Sequence, residues 1–132
     1  MKLVFCLDDA GGIAFNKRRQ SRDRVLCEDV LKYADTEALA MSEYSAKLFD
    51  YNEKIRISDE PSENDTYFLE LRSPDGYIKD ADAVVIYRWN RLYLSDVRFT
   101  SSMSTLGFKL ESREDFVGFS HEKITKETYI KV

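Results

Sequence analysis

The stretch KLVFCLDDAGG, Lys2–Gly12, decides how the rest of the chain is read. Lys2–Leu7 is almost wholly apolar and stops at two acids and two glycines. A continuous apolar run of strand length is what a central strand needs when helices or loops cover both of its faces. Leu3 and Phe5 would then face one side, and Val4 and Cys6 the other. Asp8–Gly12 supplies turn chemistry, because glycine tolerates positive φ. The run is too short for the apolar region of a secretory signal and carries no cleavage site, so it reads as a strand.

Working outward, IAFNKRRQ reads as a loop. Ser21 is then an expected N-cap for a helix over about 22–34, whose apolar face is Leu26, Cys27, Val30, Leu31, Tyr33 and Ala34. ALAM predicts an inner strand, and SEYSAKLF a short helix capped by Ser42. KIRI and DTYFLEL predict further strands. RSPDG predicts a turn in which proline sets φ and Asp-Gly supplies the left-handed step. AVVIYRWNRLYLSDVRF reads as one long strand or a bent pair around RWNR. LGFKLE and KITKETYIKV, either side of FVGFSH, suit a closing antiparallel hairpin, with Leu106, Phe108 and Leu110 on one face. Strand–helix units followed by antiparallel strands predict an α/β fold built on a single mixed sheet.

At 132 residues, 43% hydrophobic and 13% aromatic, the chain has the size and content of one packed domain, residues 1–132. Cys6 and Cys27 lie in apolar runs without metal-ligand spacing, which suits reduced thiols and a cytoplasmic protein. No run approaches the roughly 18 apolar residues of a membrane span. CxxC, HExxH, GxSxG and GxxxxGK patterns are all missing, so zinc, serine-hydrolase and P-loop chemistry lack their usual signatures.

Against a formal net charge of −4, Phe15–Arg24 (FNKRRQSRDR) stands out. Five basic residues against Asp23 give this window +4, leaving −8 for the remainder. Lys17, Arg18, Arg19 and Arg22 could grip phosphate or carboxylate beside a helix start, converging near Ser21. They could equally form a solvated loop paired with the chain's many carboxylates. The acidic remainder argues against nucleic acid, for which one short cluster is a small electrostatic footprint.

The order of these pieces resembles the dihydrofolate reductase fold. The resemblance rests on VFCLDDAGGIAFNKRRQSRD, on ALAMSEYSAKLF in place of an IMGRxTWES segment, on VVIYRWNRLYLSDVRF with Asp96 and Phe99 in register, and on the terminal hairpin. It implies that Asp23 matches the acid that contacts the family's pterin ring, and that Tyr87 passes close enough to hydrogen-bond it. The departures are as specific. The Gly-Gly pair that admits the nicotinamide cofactor's phosphate is replaced by Glu70 and Leu71 in YFLELRS. SEYS, with Glu43, stands where GRxT offers a basic residue and a hydroxyl. The expectation is a trimmed relative that uses no cofactor, keeping the pterin-side pocket without the nicotinamide half.

Asn16, Arg18, Arg19, Gln20, Arg22, Asp23, Tyr87 and Trp89 are the expected site, holding a small planar or anionic ligand. Each has a plainer reading. Asp23 would complement a helix dipole, Tyr87 and Trp89 would be core aromatics, and His121 in SHEK would be a surface or capping residue in place of a general base. A second class of function is an interaction or regulatory module that offers the basic loop to an acidic protein partner. A third is an RNA-processing enzyme without a recognisable site. The two-metal HxHxDH centre of ribonuclease Z cannot be built from a single histidine.

Overall fold

The computed structural model describes residues 1–35 and 38–132. Its frame is a seven-stranded mixed sheet in the order β5-β4-β6-β1-β7-β10-β9. These strands are β1 (Lys2–Leu7), β4 (Leu39–Met41), β5 (Ile55–Ile57), β6 (Thr66–Phe68), β7 (Ala83–Arg88), β9 (Phe108–Phe116) and β10 (Ile124–Lys131). The strand β1 is central, parallel to β6 on one side and β7 on the other. The pair β9–β10 closes the sheet antiparallel, as the sequence predicts, with a bulge between Thr128 and Tyr129.

Side-chain alternation divides the core between the two faces of this sheet. Leu3, Phe5, Leu7, Val84 and Ile86 pack on one face. Val4, Val85 and Tyr87 pack on the other, against Leu26, Val30 and Ala34 of helix α1 (Arg24–Ala34). Phe5 is fully buried and meets Phe99 edge to face at 5.4 Å, an arrangement favoured by the ring quadrupoles. Helix α2 (Glu43–Leu48) starts at Ser42, whose hydroxyl accepts from the Ser45 N–H, as expected.

Five local expectations need correcting. The segment read as a basic loop is a hairpin of β2 (Gly12–Phe15) and β3 (Arg18–Arg19), turned by Asn16 and Lys17, both at positive φ. Two consecutive positive φ angles match the twist of a tight hairpin. It forms a small second sheet, β3-β2-β8, with Val97–Arg98 as β8. The cap of α1 is Asp23, not Ser21: its carboxylate accepts from the N–H groups of Val25 and Leu26. The long strand ends at Arg88, because Asn90 turns to positive φ. Pro74–Gly76 forms a 3₁₀ turn in place of a turn with a left-handed glycine. Of the face expected in LGFKLE, Phe108 is buried while Leu110 is exposed on the edge strand.

Candidate functional site

The basic residues of the hairpin do not converge. Arg19 turns inward, where its Nε and Nη2 donate to Glu70 at 2.8 and 3.0 Å and its guanidinium lies over the Tyr44 ring. Glu70 also accepts from the Ser45 hydroxyl at 2.8 Å. Asn16, Arg18, Arg19 and Gln20 line a shallow cavity of about 400 Å³ with Tyr93 and Leu94. Arg22 and Asp23 line a different one, about 740 Å³, between the start of α1 and the end of α2. Tyr87 and Trp89 lie inside the core. The Tyr87 hydroxyl donates to Asp29 at 2.5 Å, not to Asp23. Burial first, then the Asp29 charge, pushes its pKa far above that of an ordinary tyrosine.

Asp23 is the most heavily bonded carboxylate of this region and is only 3% exposed. Besides capping α1, it accepts from the N–H groups of Phe119 and Ser120 at 2.9 and 2.8 Å, and from His121 Nδ1 at 2.9 Å. Burial alone would raise its pKa. The Phe119 N–H, the His121 ring and the Ser120 N–H oppose this and hold the carboxyl well below the usual carboxylate range. Gly118 is required here, since a Cβ would stand 2.5 Å from Asp23 Oδ2. The acid expected to meet a ligand ring is thus turned to the β9–β10 connection.

His121, 5% exposed, is no surface residue. Its ring stacks on Trp89 with centroids 4.7 Å apart, so the aromatic floor expected of Trp89 lies beneath an internal ring. A carboxylate only accepts, so Nδ1 carries the proton facing Asp23 and Nε2 is left to the hydroxyls beyond it. Those are Ser21 Oγ at 2.9 Å and the Tyr93 hydroxyl at 3.2 Å. In sequence Ser21 looks like the helix cap, and nothing in RLYLS marks Tyr93. No local signal joins Asp23 to a histidine 98 residues away.

Asp8 is a second buried hub. It accepts from the N–H groups of Ala10, Gly12 and Tyr93 and from Gln20 Nε2, which pins the hairpin to the end of β1. Gln20 Oε1 is the buried side-chain acceptor left without a partner among the described residues. Beside it, the space bounded by Cys6, Ile13, Arg19, Ser21, Glu70 and Trp89 shrinks to about 10 Å³, room for one water at most. As it stands this space is too small to admit a ring.

These residues do not fit a dinucleotide cofactor. Glu70, which follows β6 where the family has its glycine pair, presents a carboxylate already held by Arg19 and Ser45. Two 3₁₀ turns, Pro74–Gly76 and Ile78–Asp80, carry the chain from there towards β7. Among the described residues no group of three histidine, cysteine or acidic side chains is placed to hold a metal ion, and no helix is long and apolar enough to cross a membrane. Cys6 and Cys27 are free thiols, and burial pushes the Cys27 thiol up to about 12.

No family model matches the chain, and no curated protein matches its sequence. Among solved structures it is similar to a dihydrofolate reductase from Enterococcus faecalis, determined in complex with NADP(H) and RAB-propyl. The two are 10% identical, the match covers 98% of this chain and 95% of that one, and the TM-score is 0.65. At that identity the likeness speaks for architecture alone, and with the mixed sheet, its order and the closing hairpin it shows that this chain has a dihydrofolate reductase-like fold.

Proposed function

We infer that the chain is a cytoplasmic ligand-binding domain that holds a small planar anion in the groove between α1, α2 and the β9–β10 connection. The observation that carries this reading is the cavity of about 740 Å³ bordered by Arg22, Arg24 and Lys47. None of these three cations makes an ion pair among the described residues. Asp23, the nearest acid, spends its charge inward on Val25, Phe119, Ser120 and His121, which leaves Glu28 and Asp50 as the opposing groups. Leu31, Leu48, Phe49 and Phe119 add apolar surface suited to a flat ring, and Arg24 already lies 4.4 Å from the Phe119 ring centroid. Free cations beside apolar walls recognise an aromatic carboxylate better than an extended polyanion.

Calorimetric titration with folic acid, which joins flat aromatic rings to two carboxylates, tests this. Saturable binding is expected, weakened about tenfold in the Arg22→Gln/Arg24→Gln double variant, a loss of ~1.4 kcal/mol. The melting temperature should stay within about 2 °C of wild type, because exposed unpaired charges contribute little to stability. No heat of binding up to millimolar folic acid, together with no small molecule retained in native mass spectrometry of the purified protein, would overturn the reading. Salt-sensitive capture of a stoichiometric acidic protein instead would favour the interaction-module alternative.

A further inference from the structure

We propose that Ser21, His121 and Asp23 form a nucleophile, general base and orienting acid that hydrolyse small carboxylic esters through an acyl-Ser21 intermediate. The proposal does not rest on ligand binding in the groove between α1 and α2.

The geometry is that of an activated serine. Ser21 Oγ lies 2.9 Å from His121 Nε2, and His121 Nδ1 lies 2.9 Å from Asp23 Oδ2. The order of partners matches the relay in which a carboxylate fixes the imidazole tautomer and the free nitrogen takes the serine proton. Asp23 is anchored by four backbone N–H groups, and His121 stacks on Trp89 with the rings inclined by 30°. Neither can rotate out of line cheaply, which is the preorganisation such a relay needs. Neither a helix cap nor a core histidine requires a hydroxyl on Nε2.

Substrate access follows from the same elements. Ser21 is only half-buried, while His121 and Asp23 are covered. The depression of about 400 Å³ lined by Phe15, Arg18, Gln20, Tyr93 and Leu94 takes in Gln20, the residue before Ser21, and Tyr93, whose hydroxyl shares the same imidazole nitrogen. Leu94, 73% exposed, lines it and adds apolar surface suited to a short acyl chain. The Tyr93 hydroxyl, at the same imidazole nitrogen, is the side-chain donor at hand for the developing oxyanion.

The steps balance. Ser21 Oγ bonds to the ester carbonyl carbon while its proton passes to His121 Nε2. The carbon–oxygen bond to the alcohol breaks, and the leaving oxygen takes that proton. Water then attacks the acyl carbon and gives its proton to Nε2. The bond to Oγ breaks, Ser21 recovers the proton, and the carboxylic acid departs. The sum is ester plus water giving acid plus alcohol.

Diisopropyl fluorophosphate and p-nitrophenyl acetate are the probes. Expected is one phosphoryl adduct per chain, mapped to Ser21, that forms on folded protein and not on heat-denatured protein. In Ser21→Ala, a substitution that leaves Asp23 capping α1, the adduct should vanish and the melting curve persist. Nitrophenol release should fall at least about 100-fold in Ser21→Ala and in a folded His121→Gln. Should His121→Gln fail to fold, Ser21→Ala decides alone. Labelling elsewhere, labelling no faster than in denatured protein, or Ser21→Ala hydrolysing the ester at the wild-type rate would overturn the proposal and leave the three residues as a structural network.

Discussion

One carboxylate, Asp23, caps a helix, fastens a loop nearly a hundred residues away and orients a histidine. Ser21 and Asp23 are both good cap residues two positions apart, so local propensity cannot choose between them. The choice is made from outside, because the β9–β10 connection brings Phe119 and Ser120 N–H groups and His121 to Asp23 and gives Ser21 the far side of the imidazole. The folded protein holds the Asp23 pKa down, so its contribution to stability is present above the unfolded value near ~3.9 and is lost as pH falls through that value towards the folded one. Asp8 and Glu127 are depressed as well and act in the same direction. Stability should therefore decline below about pH 4. Asp23→Asn should cost about 3 kcal/mol at pH 7, since an amide nitrogen would face backbone donors. It should also make the acid slope shallower. Urea denaturation of both proteins at pH 7 and pH 3 measures this, and an equal pH dependence in the two would show that Asp23 is not the group responsible.

At the scale of elements, strands were the legible part. The buried runs of β1 and β7 alternate between two covered faces, and apolar patterning shows that before any contact is known. The hairpin β2–β3 looks like a loop in sequence because its strands are short and one of them is all arginine, and its pairing is set by twist and by Asp8, not by apolar surface. The loss of the glycine pair after β6 was legible in Glu70, but its pairing with Arg19 was not, since the two residues lie 51 positions apart. That pairing bears on the cofactor. A phosphate brought beside Glu70 would have to break the Arg19 and Ser45 bonds or meet a bare carboxylate, and repulsion between two such charges at 4 Å is roughly 4 kcal/mol near a protein surface. NADPH should therefore produce no saturable change in the emission of Trp89, the single tryptophan, which packs beside this space. A saturating quench at micromolar NADPH would mean that Glu70 swings away and that the site opens.

The whole molecule is tied across its sheet by buried charges as well as by apolar packing. Glu127 on β10, 1% exposed, accepts from Arg88 of β7 at 2.7 Å and from Arg113 of β9 at 2.6 Å, joining three strands at one carboxylate. The second sheet is fastened to the first through Asp8 and through the Phe99 ring on Phe5. Asp23 and His121 join the first helix to the last hairpin. The ties Phe5–Phe99, Asp8–Tyr93 and Asp23–His121 each span most of the chain, so no half of the sequence holds a complete set of contacts, and separate unfolding of either half would expose core side chains of the other. The protein should then melt in one cooperative transition, with calorimetric and van't Hoff enthalpies equal and near roughly 90 kcal/mol for a chain of this length. Amides of β1 and β7, paired on both sides at the centre of the sheet, should exchange last and at the global rate, and those of the edge strand β9 well before them. Two resolved transitions, or β1 amides exchanging as fast as those of β9, would show that the sheet is divided into independent parts and that residues 1–132 are not one folding unit.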